Sequence, residues 1–517
     1  MSTTTTTQSL PPLRLYDAWA GPKPEPTPAQ RAALFVLRLG AVAVVLAAST
    51  WKSFELDRFF VPKELVLHLA ALLAAVLCLK AARKVLLGPV DVVLLAFLGL
   101  SLASAVLAQN HWLAARAFGV SASGAAVFWA ARSLGRAGLE RRLLVAVAFA
   151  AVLGAATSLA QAYGVRTDFF SLNRAPGGTL GNRNSVAHLC AFALPVVLVC
   201  ALRARHWFGV LAGGVGTAAL GAVLVLTRSR AAWLGVAAVL AVLLVGWLLV
   251  PPLRRHGRSW ARLFVLLLFA AGGGAAAILL PNTLRWKSDN PYAETATGLV
   301  NYREGSGAGR LKQWKNSVGI AVAHPVLGVG PGNWPVAYPA YAPAGDPSLD
   351  GQNAGMTSNP WPSSDWVAAL SERGVAAFAL LALVFLGFGA AAWRRMRAAR
   401  DADEGLLALG LAATITGTLV VGAFDAVLLL ALPSLLLWMA LGALASWEPS
   451  QRAVTLGGPA RALATLAAII VFGALAVRST GQVAAMGIAE SGGAARTLER
   501  AALLDPGSYR IHLRLAR

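Results

Sequence analysis

The sequence predicts an all-α polytopic membrane protein with about 12–13 transmembrane helices and one large external loop carrying short helices. Three observations carry this prediction. Only 13% of the residues are charged and 57% are hydrophobic, whereas soluble domains carry about 25% charged residues. Apolar runs recur along the chain, long enough to cross a hydrocarbon core of roughly 30 Å at about 1.5 Å per residue. Residues 281–364 then interrupt the series with a polar stretch rich in Arg, Trp, Gly and Pro.

In chain order, residues 1–30 read as a disordered cytoplasmic tail, a Ser/Thr run followed by a Pro-rich stretch with no apolar core for a cleavable signal. Spanning helices are expected at about 32–50, 64–80, 89–108, 113–131, 143–163, 185–202, 207–226, 231–250, 262–280, 366–392, 405–422, 425–446 and 461–478. Residues 31–450 thus form the main transmembrane domain, with the loop at 281–364, and 451–480 holds a final spanning helix. The boundary near Gly422 and Asp425 is the least marked. Within the loop, Arg310 to Val322 put Leu311, Trp314, Val318 and Val322 on one face of an amphipathic helix lying along the membrane surface. Residues 481–517 read as a periplasmic helical fragment turning at DPGSY, similar to a tetratricopeptide-type hairpin. One such hairpin cannot bury its own face. It is expected to pack on the membrane domain or to continue into further repeats, and it offers a surface for a protein partner. Cys78, Cys190 and Cys200 all fall in hydrophobic segments without metal-ligand spacing, so neither a disulfide nor a metal site is expected.

Basic residues give the orientation. Lys80, Lys84, Arg132, Arg136, Arg141, Arg142, Arg203, Arg205, Arg254, Arg255, Arg258, Arg262 and the group from Arg394 to Arg400 all fall on one side of the predicted spans. That side is therefore cytoplasmic, with the N-terminus; the large loop and the end of the chain lie outside. These clusters account for most of the net charge of +22 without a nucleic-acid partner. Arg166, Arg174, Arg183, Arg228, Arg230 and Arg310 sit against the bias, on the external side. Guanidinium groups grip phosphate with paired hydrogen bonds, so the set suits an anionic lipid headgroup or a phosphate. Nonspecific contact with headgroups or local carboxylates is the alternative for any one of them.

Four patterns stand in order on that external side: GGTLGNRNSVAH from Gly177, LTRSRAAWLG from Leu226, GRLKQWKNSVGIAVAHPVLGVGPGNW from Gly309 and SSDWVAALSERG from Ser363. Over roughly residues 30–450 the chain resembles the O-antigen ligase superfamily, which includes O-antigen ligases, O-antigen polymerases and protein O-oligosaccharyltransferases. The resemblance implies a metal-independent glycosyltransferase of the bacterial inner membrane, without a cofactor. It would move a glycan from undecaprenyl pyrophosphate to an acceptor hydroxyl at the periplasmic face. Ligation to lipid A core is the first reading, and O-antigen or exopolysaccharide polymerisation, with another glycan as acceptor, is the alternative. By motif, Arg230 and Arg310 match pyrophosphate-facing arginines, with Arg228 and Arg183 beside them. Asn182 and Asn184 match a glycan or carrier contact.

The chemistry of such a transfer needs fixed cations where the leaving pyrophosphate gains charge, and a base within reach of the acceptor hydroxyl. Many ligases of the family carry a His-Asn pair just before the tenth span; here Ser363 and Ser364 stand in those places. Asp365 and His324 are the remaining candidates for the base. Glu372 lies two turns deeper than Asp365 on the same helix face. His68 and His188 read as packing groups. Trp314 and Trp334 would stack on sugar rings or belong to an interfacial aromatic belt. A transporter or flippase would show two related halves with matching broken helices, and no internal repeat is found.

Overall fold

The computed structural model describes residues 25–82, 84–171, 173–299, 305–349, 356–447 and 452–516. Most of the expected N-terminal tail, residues 1–24, lies outside the described residues.

The chain starts with α1 (Pro28–Leu46) and α2 (Asp57–Ala81), followed by a short strand β1 (Lys84–Leu87), α3 (Pro89–Val106), α4 (His111–Leu134) and α5 (Glu140–Ala162). Then come α6 (Arg183–Leu202), α7 (Trp207–Thr227), α8 (Arg230–Leu249), the short α9 (Pro251–Arg255) and α10 (Gly257–Leu279). The loop contains α11 (Pro291–Thr297), α12 (Gly305–Ala323) and the single turn α13 (Trp334–Ala337). The chain re-enters the bundle as α14 (Asp365–Ala398), α15 (Ala402–Phe424) and α16 (Ala431–Leu444). It finishes with β2 (Arg452–Thr455), α17 (Gly458–Ser491), α18 (Ala495–Leu504) and α19 (Tyr509–Ala516).

Among the described residues, eleven helical runs are long and apolar enough to cross a membrane. One of them, His111–Ala162, holds two expected spans, which reverse direction at a π-helical turn, Gly135–Leu139. The protein is thus an all-α multi-pass membrane protein. Helix α6 is its axis, buried along almost its whole length, whereas α10 and α17 are mostly exposed and present apolar side chains outward.

Three departures from the sequence reading matter. First, β1 and β2 pair antiparallel, Lys84 opposite Thr455, and tie the α2–α3 turn to the α16–α17 turn; no periodicity in these two short segments announces it. Second, α17 runs well past residue 478, to Ser491. The α18–α19 hairpin packs back on it and on the α1–α2 turn, with Phe54, Met486, Leu498 and Ile511 forming a small core. The Trp112 indole N–H donates to Asp505 at 2.7 Å and fixes the hairpin's turn. Third, the expected span at 425–446 is broken. Residues 425–430 are not helical, and α16 keeps only 14 residues, all buried. Open backbone at membrane depth survives only where protein satisfies its polar groups.

The large loop is docked rather than free. At Gly374 helix α14 has φ 81°, a backbone state that an L side chain resists. The kink frees carbonyl groups from the helix ladder, and the loop supplies the missing donors. The Val329 N–H donates to the Ser371 carbonyl at 3.1 Å and the Gly330 N–H to the Glu372 carbonyl at 2.8 Å. In return, the Val375 N–H donates to the Pro325 carbonyl at 2.9 Å. Asn333 then clamps the α3–α4 turn, accepting from the Asn110 N–H at 2.8 Å and donating to its carbonyl at 3.1 Å. The Gly-rich run therefore serves as a backbone dock.

Candidate functional site

The N-terminus of α6 is where the external polar residues meet. Loop 164–182 is pinned beneath it. The Arg58 guanidinium donates to the carbonyls of Asp168 and Phe170 at 2.7 and 3.1 Å. Lys63 holds the Thr179 carbonyl at 2.9 Å. Gly181 turns the chain with φ 77° against the Phe59 ring, where a Cβ would collide. Asn182 then caps α6, its side chain accepting the Asn184 N–H at 3.0 Å. These contacts aim Arg183 to one side of the helix mouth, and Asn184 with His188 to the other.

On the Arg183 side lies a cavity of about 840 Å³. Arg166, Arg183, Arg228, Arg285 and Lys287 line it, with Glu294 as the one carboxylate in its wall among the described residues. Two cations approach the Trp286 ring: the guanidinium carbons of Arg183 and Arg228 lie 5.0 and 4.9 Å from its centre. Arg228, at the very short α7–α8 turn, has φ 54° and is held by Thr295 at 2.8 Å and Glu294 at 2.9 Å. Helix α11 therefore orients Arg228. Arg230 lies against its end, so close that a Cβ on Gly298 would fall 2.8 Å from the arginine Nη2.

On the other side, the Asn184 Nδ2 donates to Asp425 at 3.4 Å. His188, one turn further down α6, is buried within electrostatic reach of Asp425 and Arg310. The His188 Nε2 and the Arg310 Nε are both buried without a hydrogen-bond partner. Unmet buried donors and acceptors are costly, which marks this corner as a candidate for meeting polar groups of a ligand. Sequence reasoning gave Asp425 no role and His188 a packing one. Their partners come from other helices, and no motif spacing announces that.

The two candidate bases fare differently from what their motifs imply. Asp365 is buried at the start of α14, and both of its oxygens accept N–H groups of Val427 and Leu428, at 3.0 to 3.1 Å. It thus satisfies the open backbone between α15 and α16. His324 is exposed at the end of α12. Fourteen residues separate it from Arg310, about 21 Å along the axis at 1.5 Å per residue. The structure does not bring these two together. Of the tryptophans, Trp314 rests near Phe424, with ring centres 6.1 Å apart, and donates to the Ser363 carbonyl at 3.2 Å. Trp334 is 0% exposed, bonded to Ser317 at 2.9 Å and packed on Tyr338. It is the core of the loop and offers no ring face to a sugar. Burial raises the Tyr338 phenol above its ordinary range. Glu372 and Arg373 face each other at 3.5 Å, buried below the dock. Helix α12 forms as expected, with Leu311, Val318 and Val322 exposed and Trp314 turned inward.

Residues 215–382 match the family described as O-Antigen ligase. The matched stretch runs from within α7 to within α14 and contains Arg228, Arg230, the large loop and Asp365. It supports the O-antigen ligase superfamily, and with it a membrane enzyme of the O-antigen ligase or polymerase type acting on lipid-linked and acceptor glycans. No curated protein matches the chain.

Proposed function

We propose that this chain transfers a glycan from undecaprenyl pyrophosphate to an acceptor hydroxyl on the periplasmic face of the bacterial inner membrane, ligation to lipid A core being the reading put forward. The observation that carries it is the meeting, at the mouth of α6, of an arginine-lined cavity with a corner of buried, unmatched polar groups. The cavity has the charge and shape for a carrier pyrophosphate. Arg183 and Arg228, in the cavity wall, hold its oxygens, with Arg230 beside the end of α11, and Arg310 meets the bond to be broken from the side of the α6 mouth where His188 lies. As the bond between the sugar carbon and the pyrophosphate oxygen breaks, negative charge develops among fixed cations that need no reorganisation. The acceptor oxygen bonds to the same carbon and gives up its proton.

Asp425 is the group placed to take that proton. It is half-buried rather than enclosed, one oxygen faces Asn184, and general bases of this kind contribute about 10²–10⁴-fold. Asp365 acts as a positioning residue, because its oxygens are committed to Val427 and Leu428. His188, one turn below Asn184 and with its Nε2 lacking a hydrogen-bond partner among the described residues, is a hydrogen-bonding partner for substrate.

Glycan profiles of a deletion strain test the reading. Long chains stranded on the carrier, with none on lipid A core, are the expected result. Loss of long chains with a single repeat still attached to lipid would make the enzyme a polymerase. An unchanged profile would overturn both.

A further inference from the structure

On the face opposite the large loop, the α6–α7 turn, α9, the first turns of α10 and the start of α15 enclose a second cavity of about 660 Å³. Arg203, Arg205, Arg258 and Arg262 line it, together with Asp401 and Asp403. Both carboxylates are already committed. Asp401 caps α15 by accepting the Glu404 N–H at 2.8 Å. Asp403 takes Arg203 through two hydrogen bonds, at 2.7 and 2.6 Å.

Arg262 has no such partner. It is only 5% exposed. Its Nη1 donates to the Leu202 carbonyl at 2.7 Å, but its Nε and Nη2 are buried with no partner. A buried guanidinium with unmet donors is costly unless an anion completes it. Arg258, exposed beside it, reaches a carbonyl of Arg205 at 3.5 Å, and neither forms an ion pair among the described residues. Below the cavity, α7 and α10 pack side by side and turn Trp207, Phe208, Trp260 and Phe264 outward, Phe208 being 82% exposed. Aromatic rings at this level suit the headgroup region and the first acyl carbons.

We propose that this cavity binds the phosphate of an anionic phospholipid, Arg262 and Arg258 holding the phosphate and the acyl chains lying along α7 and α10. In the orientation that the basic residues predict, the lipid belongs to the cytoplasmic leaflet. The site stands apart from the transfer chemistry on the opposite face.

Native mass spectrometry of the purified, delipidated full-length protein tests it, with phosphatidylglycerol, phosphatidylcholine and inorganic phosphate as probes. Phosphatidylglycerol is expected to bind at least tenfold more tightly than phosphatidylcholine. Arg262→Gln should remove that preference. Because Arg262 is buried and its variant could misfold, Arg258→Gln, at an exposed position, serves as a second variant and should weaken phosphatidylglycerol several-fold. Equal binding of phosphatidylglycerol by the wild type and both variants would overturn the site. Inorganic phosphate bound as tightly as phosphatidylglycerol would overturn the lipid as its source.

Discussion

Single side chains in the external site divide by what they hold. On the proposed reading Arg230 and Arg310 face the pyrophosphate, so Arg230→Ala and Arg310→Ala should each abolish transfer while membrane levels stay normal, read by glycan gels of a complemented deletion strain. Near-normal activity in either would sink the pyrophosphate clamp. Full transfer in EDTA is expected from the same fixed cations, measured with purified donor and acceptor; a strict need for a divalent ion would contradict it. Asp425→Asn should cost at least about 10²-fold in transfer with the protein intact. Asp365→Asn should instead cost about 2 kcal/mol or more of stability, because charge-assisted hydrogen bonds to backbone are lost, and should show as a lower yield of folded protein. If Asp365→Asn folds normally and is inactive while Asp425→Asn is active, the roles are reversed. The external arginines were legible in the sequence because they defy a charge bias. The role of Asp365 was not, since its partners lie 62 and 63 residues away and are main-chain groups, which carry no sequence signature.

Elements were legible where length and apolarity set them, and illegible where a break is satisfied from outside the element. The thirteen apolar stretches all became helices, because a hydrocarbon core leaves the backbone little choice. The shortening of α16 was hidden: Ala426 to Leu430 is as apolar as a span, and the open form is satisfied by Asp365 together with Asp425 and Ser434. Gly422 belongs to the same device, since a Cβ there would fall 2.6 Å from the Asp365 Oδ2. The kink in α14 is a second case. At Gly374 a side chain would strain the backbone and strike the Val326 carbonyl. Gly374→Ala should therefore loosen the loop without unfolding the bundle. Limited proteolysis should cut within 281–364 faster than in the wild type, with transfer reduced; unchanged cleavage would show that the kink does not hold the loop.

At the scale of the molecule, the orientation expected from the basic residues is open to a direct check. A membrane-impermeant maleimide applied to intact inner-membrane-exposed cells should label Asp289→Cys in the loop but not Arg397→Cys at the far end of α14, and the reverse pattern would invert the orientation. Under the two proposals the faces carry different tasks, phosphate chemistry at the mouth of α6 and basic anchorage at the other end, with the buried α6 between them. The dock of the loop on α14 has a consequence of its own. Its register is written in main-chain hydrogen bonds between Val329, Gly330 and Val375 and their partners, which place few demands on side chains at those three positions. Seat and side chains can therefore be varied separately: a loop grafted between the same anchoring residues would keep its place on α14 through main-chain groups alone.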